Sequence, residues 1–193
     1  LKADTLDLPP LIQFVNYVDN TSYQQQLYDR IVQELKASRD QLVKTLNPLT
    51  AFIRLRQVNG SPELIDPSIR IDDDYIKKNA KLQMLFDLLE EIHERHEKVI
   101  IFSNWVEPLR TLYKFISKKY KVCCYVGTMS EAARIKHKKV FVENPEYTVM
   151  IGTIGTLGVS HTLTVAQNVI FYDEPWTYAD KKQAWDRISR IGA

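Results

Sequence analysis

The sequence predicts an α/β fold: a parallel sheet with helices on both faces, preceded by an α-helical N-terminal region. Two observations predict it. From Lys98 onward, four short apolar runs alternate with helical stretches, and before Lys98 the apolar residues recur at helical spacing with no such runs. Strands that are continuously apolar, rather than alternating, belong to a sheet buried on both faces, which is the parallel arrangement.

The elements follow in order. LDLPPLIQFVNYVDN (6–20) reads as an extended lead-in with Phe14, Val15, Tyr17 and Val18. Ser22-x-x-Gln25 has the form of a capping box, and Tyr23, Leu27, Tyr28, Ile31, Val32 and Leu35 then recur at helical spacing. A second helix is expected from Pro48 to Val58. NGSPELIDPSIRIDDD (59–74), rich in Gly, Pro, Ser and Asp, reads as a loop. Leu82, Leu85, Phe86, Leu89 and Ile92 mark an amphipathic helix. The strand runs are VIIF (99–102), VCCYV (122–126), TVMI (148–151) and NVIFY (168–172), with helices over 107–118, 130–143 and 178–191. Ligands of such sheets bind at the carboxyl ends of the strands. The expected division is 1–75, a helical lead-in, and 76–193, the α/β lobe.

Bulk properties narrow the function classes. A chain of 193 residues is one domain, or one domain with a helical appendage. A net charge of +2 and a pI of about 8.4 are modest for a dedicated nucleic-acid binder, so any DNA contact must come from local patches. Cys123 and Cys124 are adjacent on a strand and point to opposite faces, which argues for reduced thiols in a cytosolic or nuclear compartment. No apolar run reaches the length of a membrane span, and no signal-peptide pattern is present. The chain opens on Leu1 and stops just after RIG, as a piece of a longer protein would.

No GxxxxGK[ST] occurs, so no phosphate-cradling loop is expected. Without one, Asp173-Glu174 after the last strand reads as an ordinary acidic strand end rather than a magnesium site. No metal site is expected at His93 and His96 either, since no further ligand has suitable spacing. The basic stretches SKKYK (117–121) and RIKHKK (134–139) read as solvated helix faces. Gly152, Gly155 and Gly158 follow a strand and alternate with Thr153, Thr156, Ser160, His161 and Thr162. Small residues and hydroxyls there suit close approach to phosphate oxygens, and equally suit a plain strand-to-helix turn. In QAWDRISRIG (183–192), Gln183 and Arg187 share a helix face and Arg190 lies one turn on. Such a pair is either solvated or an arginine fork for a phosphoryl group held by another domain.

KVIIFSNW (98–105), YVGTMSEAAR (125–134), IGTIGTLGVSHTLTVAQNVIFYDEPW (151–176) and QAWDRISRIG (183–192) occur together and in order. The set resembles the second RecA-like lobe of Swi/Snf-type DNA translocases, a branch of superfamily-two helicases. LPP (8–10), YQQQLYDRIVQEL (23–35), LRQV (55–58) and KLQMLFDLLEEI (81–92) resemble the helical region leading into that lobe. The resemblance implies a DNA-dependent ATPase. Arg187 and Arg190 would be its catalytic arginine fingers, reaching across a cleft to ATP and Mg²⁺ held mainly by the N-terminal RecA-like lobe. Gln183 and Gly158 would lie on the nucleotide side. Ser103, Asn104, Gly127, Thr128, Ser130, Thr153 and Trp176 would face the backbone of double-stranded DNA, within a protein–DNA complex as target. This chain alone would bind no cofactor and turn over no ATP.

The family's glycine loop carries Ala-Gly-Gly followed by Gly-Leu-Asn-Leu. Here Thr156, Leu157 and Gly158 stand in the core, followed by Ser160, His161, Thr162 and Leu163, and the closing RIGQ reads RIGA. The alternative reading is therefore a non-catalytic nucleic-acid or protein binding module derived from such a lobe. Compactness between the motifs points to a bacterial or viral, cytoplasmic protein, or a nuclear one if eukaryotic.

Overall fold

A computed structural model describes residues 12–40, 47–160 and 163–186. The chain forms two compact units, one of Leu1–Tyr17, Ile92–Val106 and Lys119–Ala193, the other of Val18–Glu91 and Glu107–Lys118.

The second unit is helical. It contains α1 (Ser22–Asp40), α2 (Pro48–Gly60), most of α3 (Ala80–Glu94) and most of α4 (Val106–Ile116), with 3-10 turns at Pro62–Leu64 and Asp73–Lys78. The capping box stands one residue earlier than its expected register. Thr21 is the cap: its hydroxyl accepts from the Gln24 amide at 3.2 Å, and Gln24 Oε1 accepts from the Thr21 amide at 3.2 Å. The reason is burial. Gln24 has no exposed surface, and its amide also donates to the Val58 and Asn59 carbonyls (3.0 and 3.1 Å) and accepts from Ala80 N (3.0 Å). Leu27, Ile31 and Val58 close the α1–α2 seam, with Tyr23, Tyr28, Leu55 and Ile65 packed against them.

Asn47 caps α2 by accepting from Leu49 N at 2.9 Å, with Pro48 in the first turn where its missing N–H has no cost. The stretch 59–74 is more ordered than a loop. Its Glu63 accepts from Tyr75 Oη and from Thr111 Oγ1 (2.9 Å), and Tyr75 stacks on Phe115 at 5.6 Å. Buried Asn79 starts α3 by accepting from Leu82 N at 3.1 Å and ties back to the Gly60 carbonyl at 2.9 Å.

The first unit holds the sheet: β1 (Val99–Ser103), β2 (Lys121–Tyr125), β3 (Tyr147–Thr153) and β4 (Asn168–Phe171), all parallel, in the order β2-β3-β1-β4. Each strand begins and ends within two residues of its expected run. With α5 (Glu131–Glu143), α6 (Ile154–Ser160) and α7 (Tyr178–Asp186), this is the RecA-like arrangement of a parallel four-stranded sheet with helices around it. Ile100, Phe102, Cys123, Tyr125 and Met150 share one core with Phe141 of α5, Ile154 and Leu157 of α6 and Ala184 of α7. Val99, Ile101, Val149 and Ile151 point the other way and are equally buried, as continuously apolar strands require. Cys123 and Cys124 are free thiols.

Two side chains finish helices in this unit. Among the described residues Lys98 has no carboxylate partner; its ammonium donates to the Phe141 and Asn144 carbonyls at the end of α5 and lies 5.0 Å over the Phe141 ring. α3 ends in a left-handed turn at His96 (φ 56°), with Glu97 N donating to Ile92 O at 3.2 Å and His96 N to His93 O at 2.9 Å. That is the Schellman pattern, whose left-handed position glycine normally fills.

β2 is an edge strand, and one of its outward amides is covered: Cys124 N donates to His137 Nδ1 of α5 at 3.0 Å. An accepting Nδ1 requires a neutral ring. Burial, with Lys136 beside it, holds the His137 pKa below its ordinary 6.5. As pH falls through that ordinary value the unfolded chain takes up the proton first. The contribution of the neutral ring is therefore complete above about pH 6.5 and is lost as pH drops towards the folded value. In His137→Gln, which keeps an acceptor and removes the titration, the fall of the urea midpoint between about pH 7 and pH 5 will be shallower than in the parent. Parallel curves for the two proteins would refute this role.

Candidate functional site

The segments that leave the four strands emerge along one edge of the sheet. Ser103 is level with Thr153, and Phe102 is level with both Gly152 and Phe171; Tyr125 is level with Gly152. The edge therefore carries, in spatial order, Gly127 and Thr128, then Thr153, then Ser103 and Asn104, then Asp173 and Glu174. With strands about 4.8 Å apart the row is roughly 14 Å long. Residues up to 70 positions apart in sequence are brought together here.

At the β2 end, Gly127 and Thr128 are exposed in a turn closed by Met129 N donating to Val126 O at 3.1 Å. Ser130 is exposed and caps α5, accepting from Ala133 N at 3.3 Å. A Cβ on Gly127 would lie 3.3 Å from Thr156 Oγ1, and Thr156 Oγ1 in turn accepts from Thr153 Oγ1 at 3.0 Å. Two hydroxyls and a glycine thus meet where β2 and β3 end.

The expected glycine loop takes another form. Gly152 is the next-to-last residue of β3, while Gly155 and Gly158 fall within α6. The reason lies in Ile154 and Leu157, which are three apart, buried, and packed into the sheet core, and so draw the segment into a helix despite its glycines. Gly152 is required sterically, because a Cβ would lie 2.6 Å from the Tyr125 carbonyl oxygen and under 3 Å from two Leu157 carbons.

At the β1 end the two expected DNA-facing residues part company. Asn104 is partly exposed and donates to the Glu174 carbonyl at 2.9 Å. Ser103 has no exposed surface; its hydroxyl donates to Asp173 Oδ2 at 2.5 Å and accepts from Trp105 N at 3.2 Å. In this arrangement it has no surface from which to touch a phosphate, and instead joins the ends of β1 and β4. The acidic pair divides likewise: Asp173 is buried on Ser103, whereas Glu174 is exposed and accepts from Lys181 at 2.7 Å. Trp176 is about half exposed and stands edge-on to Trp105 at 6.3 Å. Gln183 is exposed on α7. Arg187 and Arg190 lie outside the described residues.

Sequence reasoning missed the Ser103–Asp173 bond, the Thr153–Thr156 contact and the Trp105–Trp176 pair. Only the last had a legible signal, two tryptophans each following a strand.

A parallel sheet of this order with helices around it is the RecA-like fold. Among solved structures the chain is similar to the C-terminal part of the Fun30 ATPase domain (TM-score 0.81, 20% identity, covering 96% of this chain and 82% of that one). It is also similar to the Sulfolobus solfataricus SWI2/SNF2 ATPase core in complex with double-stranded DNA (TM-score 0.76, 23% identity, 91% of this chain and 37% of that one). Residues 80–192 match the family described as Helicase conserved C-terminal domain. The chain belongs to that family, as a lobe of the Swi2/Snf2 type. A mouse relative, DNA excision repair protein ERCC-6-like, is 32% identical over 123 residues, 63% of this chain. The chain spans only 10% of that relative's length. Relatives from mouse, human and yeast give the expected bacterial or viral source no support. Among the described residues no helix is long and apolar enough to cross a membrane.

Proposed function

We propose that this chain is the C-terminal motor lobe of an ATP-dependent double-stranded DNA translocase or remodeller. Residues 1–75 form its helical lead-in and 76–193 the lobe itself. The observation that carries the reading is the single row at the sheet edge: Thr153 ends β3, while Gly127, Thr128 and Ser130 follow β2, Asn104 follows β1 and Trp176 follows β4, yet all share one edge. Hydroxyls, backbone amides and an asparagine amide in a row suit phosphate oxygens, which are read without regard to sequence. Ser103 acts indirectly, by fixing where Asn104 stands relative to Glu174.

ATP would sit between this lobe and the N-terminal RecA-like lobe. Arg187 and Arg190 supply positive charge to the γ-phosphoryl group as its charge spreads in the transition state, and Gln183 lies one turn before Arg187. Mg²⁺ belongs to the partner lobe, because the acidic pair here is committed elsewhere: Asp173 to Ser103 and Glu174 to Lys181. ATP binding closes the lobes and hydrolysis reopens them, stepping the row along the DNA backbone.

The test compares ATP hydrolysis by this chain alone and by the protein with its N-terminal lobe, each with and without duplex DNA. The expected result is silence from the chain alone and DNA-stimulated turnover from the two-lobed protein. Turnover by the chain alone would reveal a nucleotide site of its own, and silence from both would leave a binding module without motor function.

A further inference from the structure

We propose that the ion pair between Lys181 and Glu174 couples DNA contact at the sheet edge to ATP turnover, with Lys181 as a positioning residue. The inference rests on the motor reading and deepens it, by naming the connection between the two sides of the lobe.

The connection begins at the end of β4. Asp173 is buried on Ser103, and the next four residues, Glu174 to Thr177, lead directly into α7. This stretch is short and stiff. Pro175 has a fixed φ and restricts Glu174 before it to extended backbone. Thr177 caps α7: its hydroxyl accepts from Asp180 N at 3.1 Å and donates to Asp180 Oδ2 at 2.7 Å, and its carbonyl accepts from Lys181 N at 3.2 Å. Lys181 then reaches back to Glu174 Oε1 at 2.7 Å and closes residues 174–181 into a bracket.

Both sides of the proposed motor meet on this bracket. Its base holds Asn104, whose amide donates to the Glu174 carbonyl at 2.9 Å. Its tip carries Trp176, about half exposed and edge-on to Trp105 at 6.3 Å. Asn104 and Trp176 both belong to the row that would face DNA. The other arm is α7, which carries Gln183 and directly precedes Arg187 in the chain, the residues proposed to meet nucleotide. While Lys181 holds Glu174, a shift of α7 against the sheet reaches Asn104 and Trp176 through a single residue. A coupling needs contiguous contact of this kind, not nearness alone.

Lys181 is held more firmly than an ordinary surface lysine. Its side chain is 25% exposed, and its ammonium lies 5.8 Å over the ring of Phe171, which stacks on Phe102 of β1 at 5.5 Å. The cation is thus seated on the ends of β4 and β1, with its stem against apolar surface. Glu174 is more open, at 67%, so the pair contributes little to stability. It fixes a geometry rather than the fold, and that separates the two roles in experiment.

The test uses the two-lobed protein with Lys181→Met, which keeps a stem over Phe171 and removes the cation. ATP turnover is measured without DNA and over a range of duplex DNA concentrations, beside a urea unfolding curve. Turnover without DNA will stay within about twofold of the parent, and the unfolding midpoint will not move. Stimulation by saturating DNA will fall about fivefold or more, the lower end of the usual range for coupling between two sites. Glu174→Gln will do the same, and the charge exchange Lys181→Glu with Glu174→Lys will recover at least about half of the parent's stimulation. A merely structural role would lower both turnovers and the midpoint together, with no recovery on exchange. Undiminished stimulation in Lys181→Met, an equal fall with and without DNA, or an exchange that recovers nothing would overturn the proposal. A parent protein that DNA does not stimulate would remove the motor reading and this inference with it, so the parent alone tells the two failures apart.

Discussion

Replacing Arg187 with alanine in the two-lobed protein will lower DNA-stimulated ATP turnover by about 10³–10⁵, the range over which arginine fingers act elsewhere. Affinity for duplex DNA will stay close to that of the parent, because the proposed DNA row is built from other residues. The size of the effect follows from where the charge acts. A guanidinium aimed at the transferring phosphoryl group meets more negative charge in the transition state than in bound ATP, so its loss falls mainly on turnover. Arg187→Lys will recover little, since an ammonium lacks the planar fork. Turnover within about tenfold of the parent would remove Arg187 from the catalytic site and favour the binding-module reading. Loss of DNA affinity in step with turnover would instead mean a shared structural cause.

The second large effect concerns stability. Gly152→Ala will destabilise the fold by about 1–3 kcal/mol, the cost of forcing extra atoms into a packed core. The clash falls on a backbone carbonyl of the neighbouring strand, 2.6 Å from the new carbon, and on Leu157 on its other side. The Tyr125 carbonyl and Leu157 Cβ are fixed by the backbone and cannot turn away as the Leu157 Cδ2 methyl could. For a chain of this length each kcal/mol lowers the midpoint of thermal unfolding by roughly 2–4 °C. Gly155→Ala provides the comparison: nothing lies within 4 Å of its added carbon, and it sits in a helix. That change will be neutral or stabilise by up to about 1 kcal/mol. Equal midpoints for Gly152→Ala and the parent would show that β2, β3 and α6 are not packed as described.

Much of the fold was legible in advance, for physical reasons that differ by element. The strands were readable because four or five consecutive apolar residues have only one economical environment, a sheet buried on both sides. α3 was readable from its helical spacing, and α5 from its place between two strand runs; the Ser130 cap that starts α5 is seen only in the structure. α6 was not, because glycine-rich composition predicts a loop and only tertiary burial of Ile154 and Leu157 turns it into a helix. The cap of α1 was misplaced by one residue because Ser22 and Thr21 are equally good caps locally. The choice was made by Gln24 meeting the end of α2 and the start of α3, contacts 34 to 56 residues away. At the candidate site, residue types and order were legible, but roles were not. Nothing local distinguishes Ser103, sealed against Asp173, from Asn104 beside it, which remains partly open. Acidic residues are so rarely buried that sequence gives no reason to place Asp173 inside.

Gln24 has a further consequence for how the helical unit opens. One carboxamide, with no exposed surface, binds the start of α1, the end of α2 and the start of α3 at once. Helix ends ordinarily fray one by one, at little cost and independently. Here none of the three can fray without leaving a donor or acceptor of the same buried group unpaired, a penalty of about 1–3 kcal/mol. The three termini therefore act as a single cooperative latch, which opens as a whole or stays shut.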